Sequence, residues 1–317
     1  MIRKSMEIVL LLVVILPDPA FGWWPIGHYE ITKRAGLPDI AEYSQLPDYE
    51  DSWSPIVWTG PPEMFEVADI SRYFCWSHAA QDAGEIAAGL VPIKPAYPDD
   101  GRYPCPDMWY VVQHKLGNLT PEQKIEMEKT ARGFLAHNAA DRVVHYAFFG
   151  GADPGDGLIE GKDKWLVEHS HKEKWADYWI YIRENWASDW EAAFDAEGKL
   201  ELTVEYANGV PVATPTDDMA FMMQLSQKVS RKTRRFTEAG KDYYVISPQT
   251  ISEIKQKVQN TINSKVTAEK LRSDYTRADF LDLEAEAVRE GWLVPQVIAK
   301  YSEAQSNVLL WMNALAQ

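Results

Sequence analysis

The stretch between Thr120 and Gly150 constrains the fold of this chain more than any other segment. Thr120-Pro121-Glu122-Gln123 supplies a side-chain N-cap, a proline suited to a first helical turn and a capping-box partner three residues on. No strong breaker follows before Gly150-Gly151, so the segment is expected to form about 28 residues of helix. His137, Asp141 and His145 stand at four-residue steps along it. Each step advances about 40° past a full turn, so the three side chains share one face, with Gly133 on the same stripe one turn earlier.

A second long helix is expected from Asp163 to Asp195, after the Gly- and Asp-rich loop 150–161. It carries Trp165, Trp175, Trp179, Trp186 and Trp190, whose common fate on such a helix is one face of a core. His169-Ser170-His171-Lys172-Glu173 repeats the ligand spacing, with His169 and Glu173 on one face. Thr250-Ile251-Ser252-Glu253 reads as a capping box opening a helix over 254–266, and 278–315 has helical periodicity with little Gly or Pro. Leu202–Tyr206 and Val210–Val212 flank Asn208-Gly209, a dipeptide suited to a tight primed turn, and predict a small β-hairpin insertion at the surface. The Pro- and Asp-rich segment 90–107 is expected to be a long loop. No internal repeat or low-complexity linker divides the chain. The expected fold is all-α, a single multi-helix domain over residues 23–317.

Composition removes several function classes. The chain has 317 residues, 46% hydrophobic and 25% charged, which excludes intrinsic disorder, collagen and a disulfide-stapled scaffold. A formal charge of −15 argues against a generally basic surface, so no stable nucleic-acid partner is expected, and an anionic substrate requires local positive charge. Cys75 and Cys105 are the only cysteines, so a metal site here must draw on His, Asp and Glu. Arg3 and Lys4, the nine-residue apolar run Ile8–Leu16 and Ala20-Phe21-Gly22 read as a secretory signal peptide over 1–22, giving a secreted or periplasmic chain that begins at Trp23. Export makes a Cys75–Cys105 disulfide plausible; two separate buried thiols are the equal alternative.

One His/Asp pair on a helix is usually a salt bridge or a satisfied core histidine. Two such helices, together with an N-terminal histidine, point instead to a metal centre. Trp23-Trp24-Pro25-Ile26-Gly27-His28, Pro47-Asp48-Tyr49-Glu50, Ser77-His78, the H-x3-D-x3-H helix and the H-x3-E helix together resemble the zinc-dependent phospholipase C family. The nearest resemblance is to the catalytic domain of glycosylphosphatidylinositol-specific phospholipase D, and it covers about residues 23–180.

The resemblance implies a trinuclear zinc site. One zinc takes the α-amino nitrogen and carbonyl oxygen of Trp23 with His28 and Asp48; another takes His78 and His137, with Asp141 bridging the two; the last takes His145, His169 and Glu173. Asp48 and Asp141 are the implied catalytic carboxylates, Asp48 as a base toward the nucleophilic water. Three Zn²⁺ against three carboxylates leave the cluster at about +3, the local positive charge that a phosphodiester needs. Two departures from the family pattern stand out. His145 follows Asp141 by four residues where the bacterial enzymes use six, and Asp48 lies 30 residues before His78, about twice the compact spacing, so Asp51 and Asp69 are rivals to it. His171 is the rival to His169, and His114 falls outside every motif.

The implied function is an exported zinc phosphodiesterase that hydrolyses phospholipid or glycolipid head groups through a metal-activated hydroxide. Tyr103, Trp109 and Tyr110 are candidates for membrane-interface contact, although core packing is the commoner fate of such residues. Arg142 is either a phosphate contact or a surface arginine. Two alternatives accompany this reading. A single-strand-specific zinc nuclease shares the five-residue step from Trp23 to His28, but its second helix carries Asp where Glu173 stands. The other is a non-catalytic exported metal-binding module.

Overall fold

Proline and threonine set most of the helix starts in the structure, a computed structural model that describes residues 23–50, 63–66, 119–144, 162–226, 235–238, 241–246 and 248–315. The helices are α1 (Pro25–Arg34), α2 (Pro38–Ala41), α3 (Leu46–Glu50), α4 (Pro121–Val144) and α5 (Lys162–Trp186). They continue with α6 (Asp217–Ser226), α7 (Pro248–Lys265), α8 (Ala268–Asp274), α9 (Arg277–Glu290) and α10 (Val294–Leu315). Proline opens α1, α2, α4 and α7, where its missing N–H costs nothing. Thr267 and Thr276 cap α8 and α9 by accepting from the amides of Lys270 and Asp279. The capping box at Thr120 is made in both directions: the Gln123 amide donates to Thr120 Oγ1 (3.3 Å), and the Thr120 amide donates to Gln123 Oε1 (3.0 Å).

The molecule is mostly helical, as expected. α4 runs through its centre, and from Gly133 to Val144 every described side-chain position on it is buried. A helix buried at so many positions needs small residues where neighbours approach. Ala139 and Ala140 allow this: the Asn307 amide of α10 donates to Ala139 O (2.5 Å), and the Trp23 indole donates to Ala140 O (3.4 Å). α10 makes the most extensive packing against α4, while α1 lies across α4, α5 and α10. α5 contributes Trp175, Tyr178 and Tyr181 to the core, and Trp175 and Trp179 both donate to Glu284 Oε1 of α9 (2.9 Å each). Trp175 is therefore in the core, and Trp179, Trp186 and Trp190 pack partly buried against it.

The hairpin expected at 202–212 is not formed. Val204–Tyr206 is a 3₁₀ turn, and Gly209 instead carries the chain close against the α7–α8 junction, where the Val210 amide donates to Val266 O (2.9 Å). Gly209 has φ +117°, and a Cβ there would lie 2.0 Å from Val266 O, so its glycine serves a close tertiary approach and not a primed turn. The hairpin that exists joins β2 (Arg235–Glu238) to β3 (Lys241–Ile246), and β1 (Glu63–Glu66) adds antiparallel to β3 with Phe65 opposite Tyr244. The run Tyr243-Tyr244-Val245-Ile246 after Ala239-Gly240 is the sequence signal for it.

Three helix boundaries also differ from expectation. α5 stops at Trp186, nine residues before the expected end at Asp195, because Ala187 (φ 49°) and Ser188 (φ 71°) turn left-handed and bring Trp190 against Phe280, with ring centroids 5.3 Å apart. α7 starts at Pro248, which places Thr250 inside its first turn. The segment 278–315 is broken between α9 and α10 at Gly291, whose φ of 79° ends α9 while the Trp292 amide bonds to Ala287 O (2.7 Å). Among the described residues, no helix is long and apolar enough to cross a membrane. The expected signal segment 1–22, Cys75, Cys105, the expected loop 90–107 and the aromatics Tyr103, Trp109 and Tyr110 lie outside the described residues.

Candidate metal centre

Among the described residues, three of the expected ligands meet in the core. His28 from α1 and His137 and Asp141 from α4 are fully buried, and one ligand atom from each lies within 4.8 Å of the others. His137 Nε2 is 3.0 Å from Asp141 Oδ2, and His28 Nε2 is 3.4 Å from Asp141 Oδ1. The two imidazoles stack, with centroids 3.9 Å apart and 23° between planes. Asp141 thus presents one oxygen to each histidine.

The tautomer of His137 follows from its second nitrogen. Nδ1 lies 3.0 Å from the carbonyl oxygen of Ser44, which can only accept, so Nδ1 carries the proton and donates. With Nε2 unprotonated, its lone pair faces a carboxylate oxygen. Two lone pairs at 3.0 Å require a cation between or beside them, either a proton or a metal ion. An Nδ1–H···O=C bond of this kind is what orients a metal-ligating histidine. The buried His-His-Asp group can therefore hold a metal ion.

Ser44 is the residue that sequence reasoning missed. Besides its carbonyl on His137, its hydroxyl lies 2.8 Å from Ala41 O and 3.1 Å from His28 O, so one residue ties the backbone beside His28 to the ring of His137. It reaches α4 because Gly133 has no side chain: a Cβ there would lie 2.4 Å from Tyr43 Cβ and 2.7 Å from Tyr43 C. Gly133 on the histidine stripe was legible as a feature. Its partner, a backbone carbonyl, has no sequence identity and left no signal.

Of the remaining expected ligands, Trp23 and Glu173 have described side chains. Trp23 is fully buried, with its indole on Ala140 O. Glu173 is fully buried on α5 but is not part of the 4.8 Å group. Asp48 lies in α3 and His169 in α5, and their side chains, like that of Arg142, are outside the described residues. His78, His145, His114 and the rivals Asp51 and Asp69 are outside them altogether. His171, the rival to His169, pairs with Glu286 of α9 (Nδ1 to Oε2, 2.8 Å) at the half-exposed edge of α5. One turn beyond Glu173, Asp177 is also fully buried; burial pushes its carboxyl well above the usual range, against the opposing donors Tyr275, Gly27 and Ile26.

No family model matches the chain, and no curated protein or solved structure matches it either.

Proposed function

We propose that the protein is an exported zinc-dependent phosphodiesterase of the phospholipase C type, acting on phospholipid or glycolipid head groups. The observation that carries the reading is the pair His137–Asp141, held by Ser44 in the tautomer that leaves Nε2 as a donor atom, with buried His28 on the second carboxylate oxygen. Two imidazoles and a carboxylate suit zinc better than a hard oxygen-seeking cation. The sequence resemblance adds Trp23, Asp48, His78, His145, His169 and Glu173, enough donors for a cluster of three ions.

Zinc supplies Lewis acidity toward a phosphoryl oxygen and lowers the pKa of coordinated water. The chain's own residues do the rest. His137 and His28 would hold the ion, Ser44 holds the His137 ring against rotation, and Asp141, with one oxygen toward Nε2 of each ring, would offset its charge. Asp48 is assigned the base that takes a proton from the attacking water.

A second reading has its own observation. His28, His137 and Asp141 are all fully buried, which equally suits a structural ion in a non-catalytic metal-binding module. The test is hydrolysis by protein purified without chelator, offered bis(p-nitrophenyl) phosphate, phosphatidylcholine vesicles and single-stranded DNA. Release of phosphocholine or phosphatidic acid with little DNA cleavage is expected. Preferential DNA cleavage would select the nuclease, and zinc without hydrolysis of any substrate would select the structural module.

A further inference from the structure

The first turn of α1 lacks a cap of its own. Trp24 stands at the N-cap position and makes no side-chain hydrogen bond to the turn, and Pro25 has no amide to donate. The next two amides are satisfied from another helix: Ile26 N donates to Asp177 Oδ2 (3.1 Å) and Gly27 N donates to Asp177 Oδ1 (2.9 Å). The fourth, His28 N, bonds to Trp24 O at 3.2 Å. Every first-turn donor is thereby accounted for, and the only side chain involved belongs to α5.

Asp177 is held in turn. Tyr275, at the end of α8, donates its hydroxyl to Asp177 Oδ2 (3.2 Å). Gly27 is shaped to this carboxylate, since a Cβ there would come within 2.6 Å of Asp177 Oδ1 and 2.9 Å of Trp23 Cβ. The amide bonded to Asp177 Oδ1 immediately precedes His28, so the carboxylate acts one residue from a ring that must meet His137 to within a stacked 3.9 Å. Both Asp177 oxygens face these donors, and Asp177 is not part of the His28–His137–Asp141 group. Its place on the Glu173 stripe, four residues further along α5, therefore marks a different task.

We infer that Asp177 is a positioning residue, a carboxylate on α5 that locks α1 in the register that brings His28 onto His137 and Asp141. The carboxylate substitutes for the local cap, so the geometry of the centre depends on α5 as well as on α1 and α4. As a statement about metal affinity, the inference rests on the metal-centre reading above; as a statement about ring geometry, it does not.

The test uses the full chain, with imidazole-resolved NMR and cobalt(II) titration on wild type, Asp177→Asn, Tyr275→Phe and, as a control for general destabilisation, Leu283→Ala. In wild type the stacked rings give nuclear Overhauser contacts between His28 and His137. Asp177→Asn is expected to lose those contacts and to weaken cobalt binding about 10- to 100-fold, the range for loss of a residue that orients ligands. Tyr275→Phe is expected to shift both readouts in the same direction by less. Leu283→Ala, which empties part of a buried contact on α9, should lower the melting temperature while leaving the ring contacts and the affinity unchanged. Unchanged ring contacts in Asp177→Asn, with only a lower melting temperature, would overturn the inference. If Asp177→Asn does not fold, Tyr275→Phe decides, and wild-type ring contacts there would overturn it. If no variant, wild type included, binds cobalt, the metal-centre reading fails and the ring contacts alone still decide the role of Asp177.

Discussion

At the scale of single residues, the centre depends on atoms that differ in how visible they are to sequence reading. His137 and Asp141 are legible because a four-residue step on a helix always places two side chains on one face. His28 lies 109 positions before His137, and no periodicity connects the two; its place beside the expected N-terminus and the resemblance of the Trp23–His28 segment pointed to it. Ser44 was illegible, because its contribution to His137 is a main-chain carbonyl that any residue could supply. Two predictions belong here. His137→Ala and Asp141→Ala should each abolish tight zinc binding while leaving the far-ultraviolet circular dichroism largely helical; retained stoichiometric zinc in either would place the metal elsewhere. Gly133→Ala should cost about 2 kcal/mol or more in urea unfolding, because the clash falls on the Tyr43 backbone and not on a movable side-chain tip, and should also weaken zinc by displacing Ser44.

Among the elements, local signals held where nothing in the tertiary structure competed with them. The Thr120 capping box forms because both of its bonds are short-range, and Thr120→Ala should cost about 1 kcal/mol by denaturant titration with no effect on metal content. Asn208-Gly209 was misread because the dipeptide's turn preference is weaker than the chain's need to pass beside Val266. The end of α5 carries no breaker, so Ala187 and Ser188 gave no warning of their left-handed turn. A pH effect also belongs to this scale. Asp195 accepts from the Lys199 amide (2.8 Å) and the Glu197 amide (3.0 Å) and pairs with Arg272, fastening the loop after α5 to α8. These donors, the Lys199 amide foremost, hold its carboxyl below the usual aspartate range. A depressed carboxyl contributes stability that is present above the unfolded pKa and is lost as pH falls through the lower folded value. Asp195→Asn should therefore reduce the acid sensitivity of unfolding below the ordinary aspartate range. An unchanged pH profile would contradict the assignment.

For the molecule as a whole, α4 is the axis on which fold and centre coincide. Its described positions from Gly133 to Val144 are buried, it packs along α10, and it presents His137 and Asp141 to His28 of α1. Burying two histidines and a carboxylate costs free energy that must be recovered by hydrogen bonds and by a cation at the shared oxygens. On the reading proposed above, this cation is a metal ion. The most direct measurement is an anomalous difference map, collected at the zinc absorption edge, from crystals of protein purified without chelator. A peak is expected about 2.0–2.2 Å from His137 Nε2, from His28 Nε2 and from an Asp141 oxygen, with the Ser44 carbonyl still on His137 Nδ1. No peak, with His137 and Asp141 still hydrogen-bonded near 3.0 Å, would mean that a proton does the work assigned to the metal.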